Sequence, residues 1–210
     1  MCISLITVYG YYISYTIQGQ CCSIHQGDIR MTTDNRNNSA YGLVITSLMI
    51  CLVLLGTVLF RIPVPMTQGY VHLGDAMIYI SVILLGKKQG AVAAALGSSL
   101  GDILGGYAFW APWTFFIKLA MAFIAGSLIE AASCGAHYHQ SSGSHVFRLA
   151  SAMGAGGIVM CSGYLAAERI MYGSWGLAAL GLPWNIGQFV TGIAVAIAAK
   201  PLCDRLRLYQ

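Results

Sequence analysis

The sequence predicts an all-α membrane protein with six transmembrane helices and both termini in the cytosol. Three observations carry that expectation. Hydrophobic residues make up 57% of the 210 positions and Asp, Glu, Lys and Arg only 9%, against about 25% charged residues in soluble domains. Apolar runs recur from Tyr41 onward, broken by short polar or proline-bearing joints. The basic residues fall in alternate joints, as expected when one side of the membrane retains them.

Residues 1–40 read as an N-terminal extension. Ile3 to Ile17 is apolar but Tyr-rich, and no Lys or Arg precedes it, so the basic start of a signal peptide is missing. It is also short of the roughly 20 residues that a spanning helix needs. Met31 opens a polar stretch ending at Ser39, and the biological chain is expected to begin near it. A membrane-lying segment within residues 1–30 is the alternative.

The bundle proper is expected over 41–203. Tyr41 to Phe60 forms the first span, stopped by Pro63 and Pro65. Val71 to Gly86 is the second and ends at Lys87-Lys88. Gln89 to Gly106 is the third, followed by an outer loop from Tyr107 to Ala111. Pro112 opens the fourth, where a missing N–H does no harm, and that span runs to Ala132. A polar linker from Ser133 to His145 leads to the fifth, Phe147 to Ala167. The sixth lies between Pro183 and Ala199, and residues 204–210 form a cytosolic tail.

With the N-terminus inside, Arg30, Arg36, Lys87, Lys88, Arg148, Lys200, Arg205 and Arg207 face the cytosol, and only Arg61 and Arg169 fall outside. Depth then follows from the helical rise of ~1.5 Å per residue. Asp102 stands ~20 Å up the third span and Lys118 ~9 Å in from the outer end of the fourth. Asp75 opens the second span from outside, Glu168 ends the fifth, and Asn185 and Gln188 open the sixth. The buried polar groups thus converge on the outer half, while the inner half is apolar apart from Glu130. That asymmetry suits a cup opening outward over an apolar floor; a through-channel needs polar lining at every depth.

Intramembrane Asp, Glu and Lys cost roughly 2.5–3.5 kcal/mol each on insertion scales and so mark a ligand or ion site. Asp102 and Lys118, at similar depth, are expected to neutralise each other, either as a structural pair or beside a bound ligand. Asp75 after Gly74 suits a helix-capping carboxylate more than a ligand contact. Asn185 and Gln188 are three apart and share a helical face, so their amides reach one pocket. Ala93, Gly97, Gly101 and Gly105 make a smooth face for close helix approach.

The string Gly97-Ser98-Ser99-Leu100-Gly101 matches a hydrolase elbow but lies in mid-helix, with no strand before it, so no catalysis is expected. The seven cysteines contain no Cys-x-x-Cys pair, and His137, His139 and His145 read as solvated linker residues. No metal or cofactor is expected. Tyr70, Tyr107, Phe109, Trp110, Trp113, Tyr164, Trp175 and Trp184 crowd the outer edge as an interfacial belt, of which one or two can stack on a flat ring.

The strings Ile62-Pro63-Val64-Pro65, Gly69-Tyr70-Val71-His72-Leu73-Gly74-Asp75, Gly97 to Asp102, Gly105-Gly106-Tyr107, Trp110-Ala111-Pro112 and Lys118 together are familiar. With Pro183-Trp184-Asn185-Ile186-Gly187-Gln188 they resemble the S components of energy-coupling factor (ECF) vitamin transporters, most closely the riboflavin-transporter-like S-component family. The likeness covers roughly Tyr41 to Leu202. It departs in the first helix, where the family's small-residue repeats are reduced to Ser47 and Cys51.

The resemblance implies a multi-pass subunit of the bacterial plasma membrane that captures a water-soluble vitamin or precursor from outside and performs no chemistry. Riboflavin, a pyridoxine-like ring and hydroxymethylpyrimidine are all compatible cargoes. A membrane-embedded T component and two ABC ATPase subunits would supply the energy, since this chain has no Gly-x-x-x-x-Gly-Lys-Ser/Thr string. The resemblance singles out Tyr70, His72, Trp110, Lys118, Asn185 and Gln188 as substrate contacts, with Tyr164 and Glu168 secondary. The alternative from another class is a self-contained channel or carrier, but no inverted repeat relates the two halves.

Overall fold

The computed structural model describes residues 35–63, 70–134 and 142–207. The expectations placed on residues 1–30 and on His137 and His139 lie outside the described residues, as do the side chains of Tyr70 and His145. The chain divides into two compact units, Met1–Ala40 and Tyr41–Gln210, and the architecture below is that of the second. In order, the elements are α1 (Asn35–Leu59), β1 (Arg61–Pro63), β2 (Tyr70–His72), α2 (Gly74–Leu104), α3 (Ala111–Cys134), α4 (Ser142–Tyr172) and α5 (Trp175–Arg207). Each of the five helices is long and apolar enough to cross a bilayer.

Where the sequence predicts two separate spans meeting at Lys87-Lys88, there is one element, α2, interrupted by a single residue. Gly86 has φ 77° and ψ −178°, a backbone region that glycine enters without steric cost. The chain folds back there. A Cβ on Gly90 would lie 2.8 Å from Val82 Cα, whereas eight residues of continuous helix separate such atoms by ~12 Å. Thr57 likewise touches both Gly74 and Gly101, near opposite ends of α2. The element is therefore two antiparallel arms, residues 74–85 and 87–104. The first arm is ~18 Å long by helical rise, shorter than a ~30 Å hydrocarbon core.

Glu130 of α3 secures this fold-back. Its Oε1 accepts a hydrogen bond from the Lys87 N–H at 3.0 Å, and its Oε2 meets Lys87 Nζ at 2.9 Å. The carboxylate thus caps the free N–H groups that open the second arm, where the helix dipole favours an anion. The one charge that interrupts the apolar inner half has a structural role.

The face Ala93, Gly97, Gly101 and Gly105 is used as its spacing predicts. α1 runs parallel to the second arm, with Gly42 near Gln89, Val53 against Gly97, Thr57 against Gly101 and Arg61 against Gly105. Arg61 finishes this contact by donating to the carbonyls of Gly105 (3.0 Å) and Gly101 (3.1 Å), while its guanidinium lies 5.5 Å from the Tyr107 ring centre. These are C-terminal carbonyls of α2, which lack helical partners and favour a cation. The outward side of α1, including Leu43, Leu48, Leu55 and Leu59, is exposed.

Small residues also set the other contacts. Gly156 and Gly163 of α4 pack on Met121 and Ile117 of α3, Gly157 packs on Phe189 of α5, and Gly192 of α5 on Asp75 and Ala76 of the first arm. Tyr79 and Met153 lie at the centre of the largest apolar cluster, where the Tyr79 hydroxyl donates to the Met153 carbonyl at 2.9 Å.

Several expected boundaries shift. α4 is longer than 147–167 and keeps Glu168 inside the helix; α5 begins at Trp175 and carries Pro183 and Pro201 within it. Membrane helices tolerate such prolines because neighbouring groups satisfy the freed carbonyls. Residues 204–207, expected as tail, are helical, and Lys200 pairs with Asp204 at 2.6 Å one turn on. The Pro63 break leads into a two-stranded antiparallel hairpin in which Arg61 pairs with His72 and Pro63 with Tyr70.

The close contact between α1 and the second arm yields a test. A Cβ on Gly97 would lie 2.7 Å from Val53 Cβ and 2.8 Å from the Ile50 carbonyl, which is backbone and cannot rotate away. Gly97→Val is therefore expected to lower stability by about 1–3 kcal/mol, as overpacking does. Gly187→Ala, with nothing within 4 Å of its added Cβ, should be neutral or mildly stabilising. Thermal unfolding in detergent compares the two.

Candidate functional site

The hairpin brings His72 to the end of the bundle where the first arm starts. His72 is buried and accepts a hydrogen bond at Nδ1 from the Gly74 N–H at 3.0 Å. The imidazole therefore supplies the helix cap that the sequence assigns to Asp75. A side chain at Gly74 would collide with the Thr57 hydroxyl and with His72 itself, so glycine is required for this approach.

Relieved of capping, Asp75 turns into the bundle. It is fully buried, and its Oδ1 meets Lys118 Nζ at 2.5 Å while Oδ2 accepts from Gln188 Nε2 at 3.0 Å. Gln188 also accepts at Oε1 from the His72 backbone N–H at 3.1 Å. One amide thus ties the strand, the first arm and α5 together. The bare backbone at Gly192, one turn beyond Gln188, lets α5 come close enough for this.

The partner of Lys118 is accordingly Asp75 and not Asp102. Depth along the helices cannot separate the two aspartates, because the fold-back at Gly86 returns both Gly-Asp steps to the same end. What separates them is packing. The second arm turns Gly101 onto α1 through Thr57, whereas the first arm lies against α5 and presents Asp75 to α3. Asp102 is buried on the second arm.

Lys118 has no exposed surface. Its ammonium lies 2.9 Å from Met160 Sδ, 4.0 Å from Met121 Sδ and 5.6 Å from the centre of the Tyr164 ring. Polarisable sulfur and an aromatic face are weak partners, so Asp75 carries the compensation. Tyr164 donates to the Thr114 hydroxyl at 3.3 Å and stands 6.1 Å from the Trp110 ring, edge to face. Trp110 also meets Tyr172 at 6.5 Å. The ensemble is an ammonium–carboxylate–amide network bordered by three aromatic rings.

Of the residues singled out from the sequence, His72, Lys118 and Gln188 join this network directly, and Tyr164 and Trp110 border it. Gln188 serves Asp75 and His72. Asn185, one turn before it, is half-buried and is not a partner of Asp75 or Lys118. Glu168 is buried on α4, one turn beyond Tyr164, and its Oε2 has no hydrogen-bond partner. Tyr70 contributes its backbone to the hairpin. Met160, Met121 and Thr114 were not legible as site residues, because an apolar run offers no mark that separates a methionine lining a charge from one filling a core.

Apolar helices of bilayer length enclosing a buried, charged network at one end define a multi-pass membrane protein. The chain belongs to the family of ECF-type riboflavin transporter S components, whose model matches residues 37–207. It is 34% identical over 139 residues to a Pyrococcus woesei protein described as an uncharacterized protein in the gap 3′ region, covering 66% of this chain and 85% of that protein. It is 29% identical over 148 residues to the thiamine precursor transporter HmpT of Lactococcus lactis subsp. cremoris (strain MG1363), covering 70% of this chain and 78% of that protein. The family is one of vitamin-uptake transporter components and not of enzymes.

Breaking the buried pair on one side strands a charge. Lys118→Met and Asp75→Leu are each expected to cost about 3–5 kcal/mol, whereas the double variant should lose far less than their sum. Thermal unfolding of the three variants in detergent measures the coupling.

His72 gives a pH prediction. Burial, and secondarily the nearby Lys118 and Arg61 charges, lower its pKa from 6.5 to about 3, with Asp75 opposing. Below pH 6.5 the unfolded chain binds a proton that the native chain refuses until about pH 3. Stability therefore falls with pH through that window. The unfolding midpoint should drop on acidification, and the drop should be shallower in His72→Gln.

Proposed function

We propose that this chain is the substrate-capturing subunit of an ECF-type ABC importer, taking a water-soluble vitamin or vitamin precursor from outside the cell. The observation that carries this reading is the Lys118–Asp75–Gln188 network, fully buried beneath Trp110 and Tyr164 at one end of the bundle. Fixed donors and acceptors beside aromatic rings suit a flat, polar ring: the rings pack on its faces, and the polar groups set its orientation. Lys118, Asn185 and Gln188 are the polar side of this site, and Trp110 the ring-packing side.

In this reading both arms of α2 cross the membrane, giving six passes, with the termini cytosolic and the turn at Gly105–Trp110 outside. Lys87 and Lys88 at the fold-back then face the cytosol, in keeping with the distribution of basic residues. A membrane-embedded T component and two ABC ATPases supply the energy. The shared name of the family points to riboflavin and that of the Lactococcus relative to a thiamine precursor, so both cargo classes enter the test.

The purified chain in lipid nanodiscs is expected to bind riboflavin or a hydroxymethylpyrimidine without nucleotide. Vesicles holding the chain alone should accumulate neither, and adding a T component with its ATPases should produce ATP-driven uptake. Accumulation by the isolated chain, driven by an ion gradient, would instead establish a self-contained carrier.

A further inference from the structure

Gln188 reads in the sequence as a ligand-facing amide, yet both of its ends are committed within the chain. The side chain is 7% exposed. Its Oε1 accepts from the His72 N–H at 3.1 Å, and its Nε2 donates to Asp75 Oδ2 at 3.0 Å. The other oxygen of Asp75 meets Lys118 Nζ at 2.5 Å. A single file of polar groups thus runs from the backbone of β2 to the buried ammonium.

The chemistry of this file allows one orientation. A backbone N–H only donates, so the amide must turn its oxygen to the strand, which leaves its nitrogen to face Asp75. An ammonium also only donates, so each oxygen of Asp75 receives a donor, an arrangement that a carboxylate satisfies. The strand therefore fixes the amide, the amide fixes Asp75, and Asp75 fixes Lys118. The dependence also runs in reverse. Without the ammonium, a buried carboxylate cannot stay in place as a bare charge. Gln188 then loses the acceptor that pins its nitrogen, and its hold on the His72 N–H loosens with it. Networks of this kind are worth more than the sum of their separate contacts.

We propose that Gln188 is a positioning residue for capture at Lys118: its amide couples the seating of β2 on α5 to the Lys118–Asp75 pair, and its effect on cargo passes through that pair. The capture role rests on the substrate-capture reading above, whereas the coupling is tested without any ligand.

Two measurements on the full-length chain in nanodiscs decide the coupling. The first exchanges the two groups isosterically. Gln188→Glu sets one carboxylate against another and should lower the unfolding midpoint more than Gln188→Leu does. Combining Gln188→Glu with Asp75→Asn restores a donor facing an acceptor at every contact. The new amide donates to the new carboxylate and accepts from Lys118, while the carboxylate accepts from the His72 N–H. This double variant should unfold at a higher midpoint than either single variant, whereas additive losses would overturn the coupling. The second measurement is hydrogen exchange at the His72 amide, read against the Ile78 amide in the core of the first arm. Lys118→Met should quicken exchange at His72, relative to Ile78, about fivefold or more, as loss of one net hydrogen bond implies. In a Gln188→Leu background the same substitution should change that ratio little. Equal acceleration with and without Gln188 would also overturn the coupling.

Titration with riboflavin, and separately with 4-amino-5-hydroxymethyl-2-methylpyrimidine, reads the capture role. For a compound that binds, Gln188→Leu should weaken affinity at least about tenfold, and adding it to Lys118→Met should cause no further loss. Independent losses would make Gln188 a direct contact and end its positioning role. Binding of neither compound to the wild-type chain would count against the capture role, with the coupling still decided by the midpoints and the exchange ratio.

Discussion

An ammonium group with no exposed surface, set among methionine and tyrosine side chains in an apolar bundle, survives only if a carboxylate meets it closely. Lys118 and Asp75 satisfy that requirement, and much of the surrounding architecture follows from it. Asp75 can face inward because His72 takes over the helix cap. His72 reaches that place because the hairpin pairs it with Arg61, whose guanidinium is anchored on the last carbonyls of α2. Gln188 holds the second oxygen of Asp75, and Gly192 lets its helix approach. A buried ion pair adds little net stability compared with apolar packing. Its value here lies in fixing which helix faces which, and in keeping a polar group available at depth.

The two buried polar centres differ in how their charge is met. At Lys118 the charge is compensated from within the chain, so a ligand there must compete with Asp75 or accommodate the pair. At Glu168, Oε2 has no hydrogen-bond partner among the described residues.

Much of the helical plan was legible in the sequence, since long apolar runs and small-residue spacing reflect bilayer thickness and helix period directly. The Ala93–Gly105 face is the clearest case: its four-residue repeat is the surface on which α1 lies. The choice of Asp75 over Asp102 was not legible, because two equivalent Gly-Asp steps at one depth differ only in their neighbours. Nor was the cap from Glu130 to Lys87, which joins residues 43 apart in sequence. The reversal at Gly86 was legible as a span ending before Lys87-Lys88, whereas the positive φ that lets one residue make it was not. Glu168 was visible as a charge near the membrane edge, but its missing partner is a property of three-dimensional packing.

The separation of Asp75 from Lys118 has a consequence for biogenesis. The two lie 43 residues apart, so the aspartate leaves the ribosome and meets the translocon well before its lysine is made. During that interval the first arm is a short apolar segment with an uncompensated acid at its end, a poor candidate for independent insertion. Its sharp reversal at Gly86 joins it to a longer neighbour, so the two enter most favourably together as a hairpin. Release into lipid is then best delayed until α3 arrives with the counter-charge. The buried pair of the finished protein thus sets a timing requirement on its own synthesis.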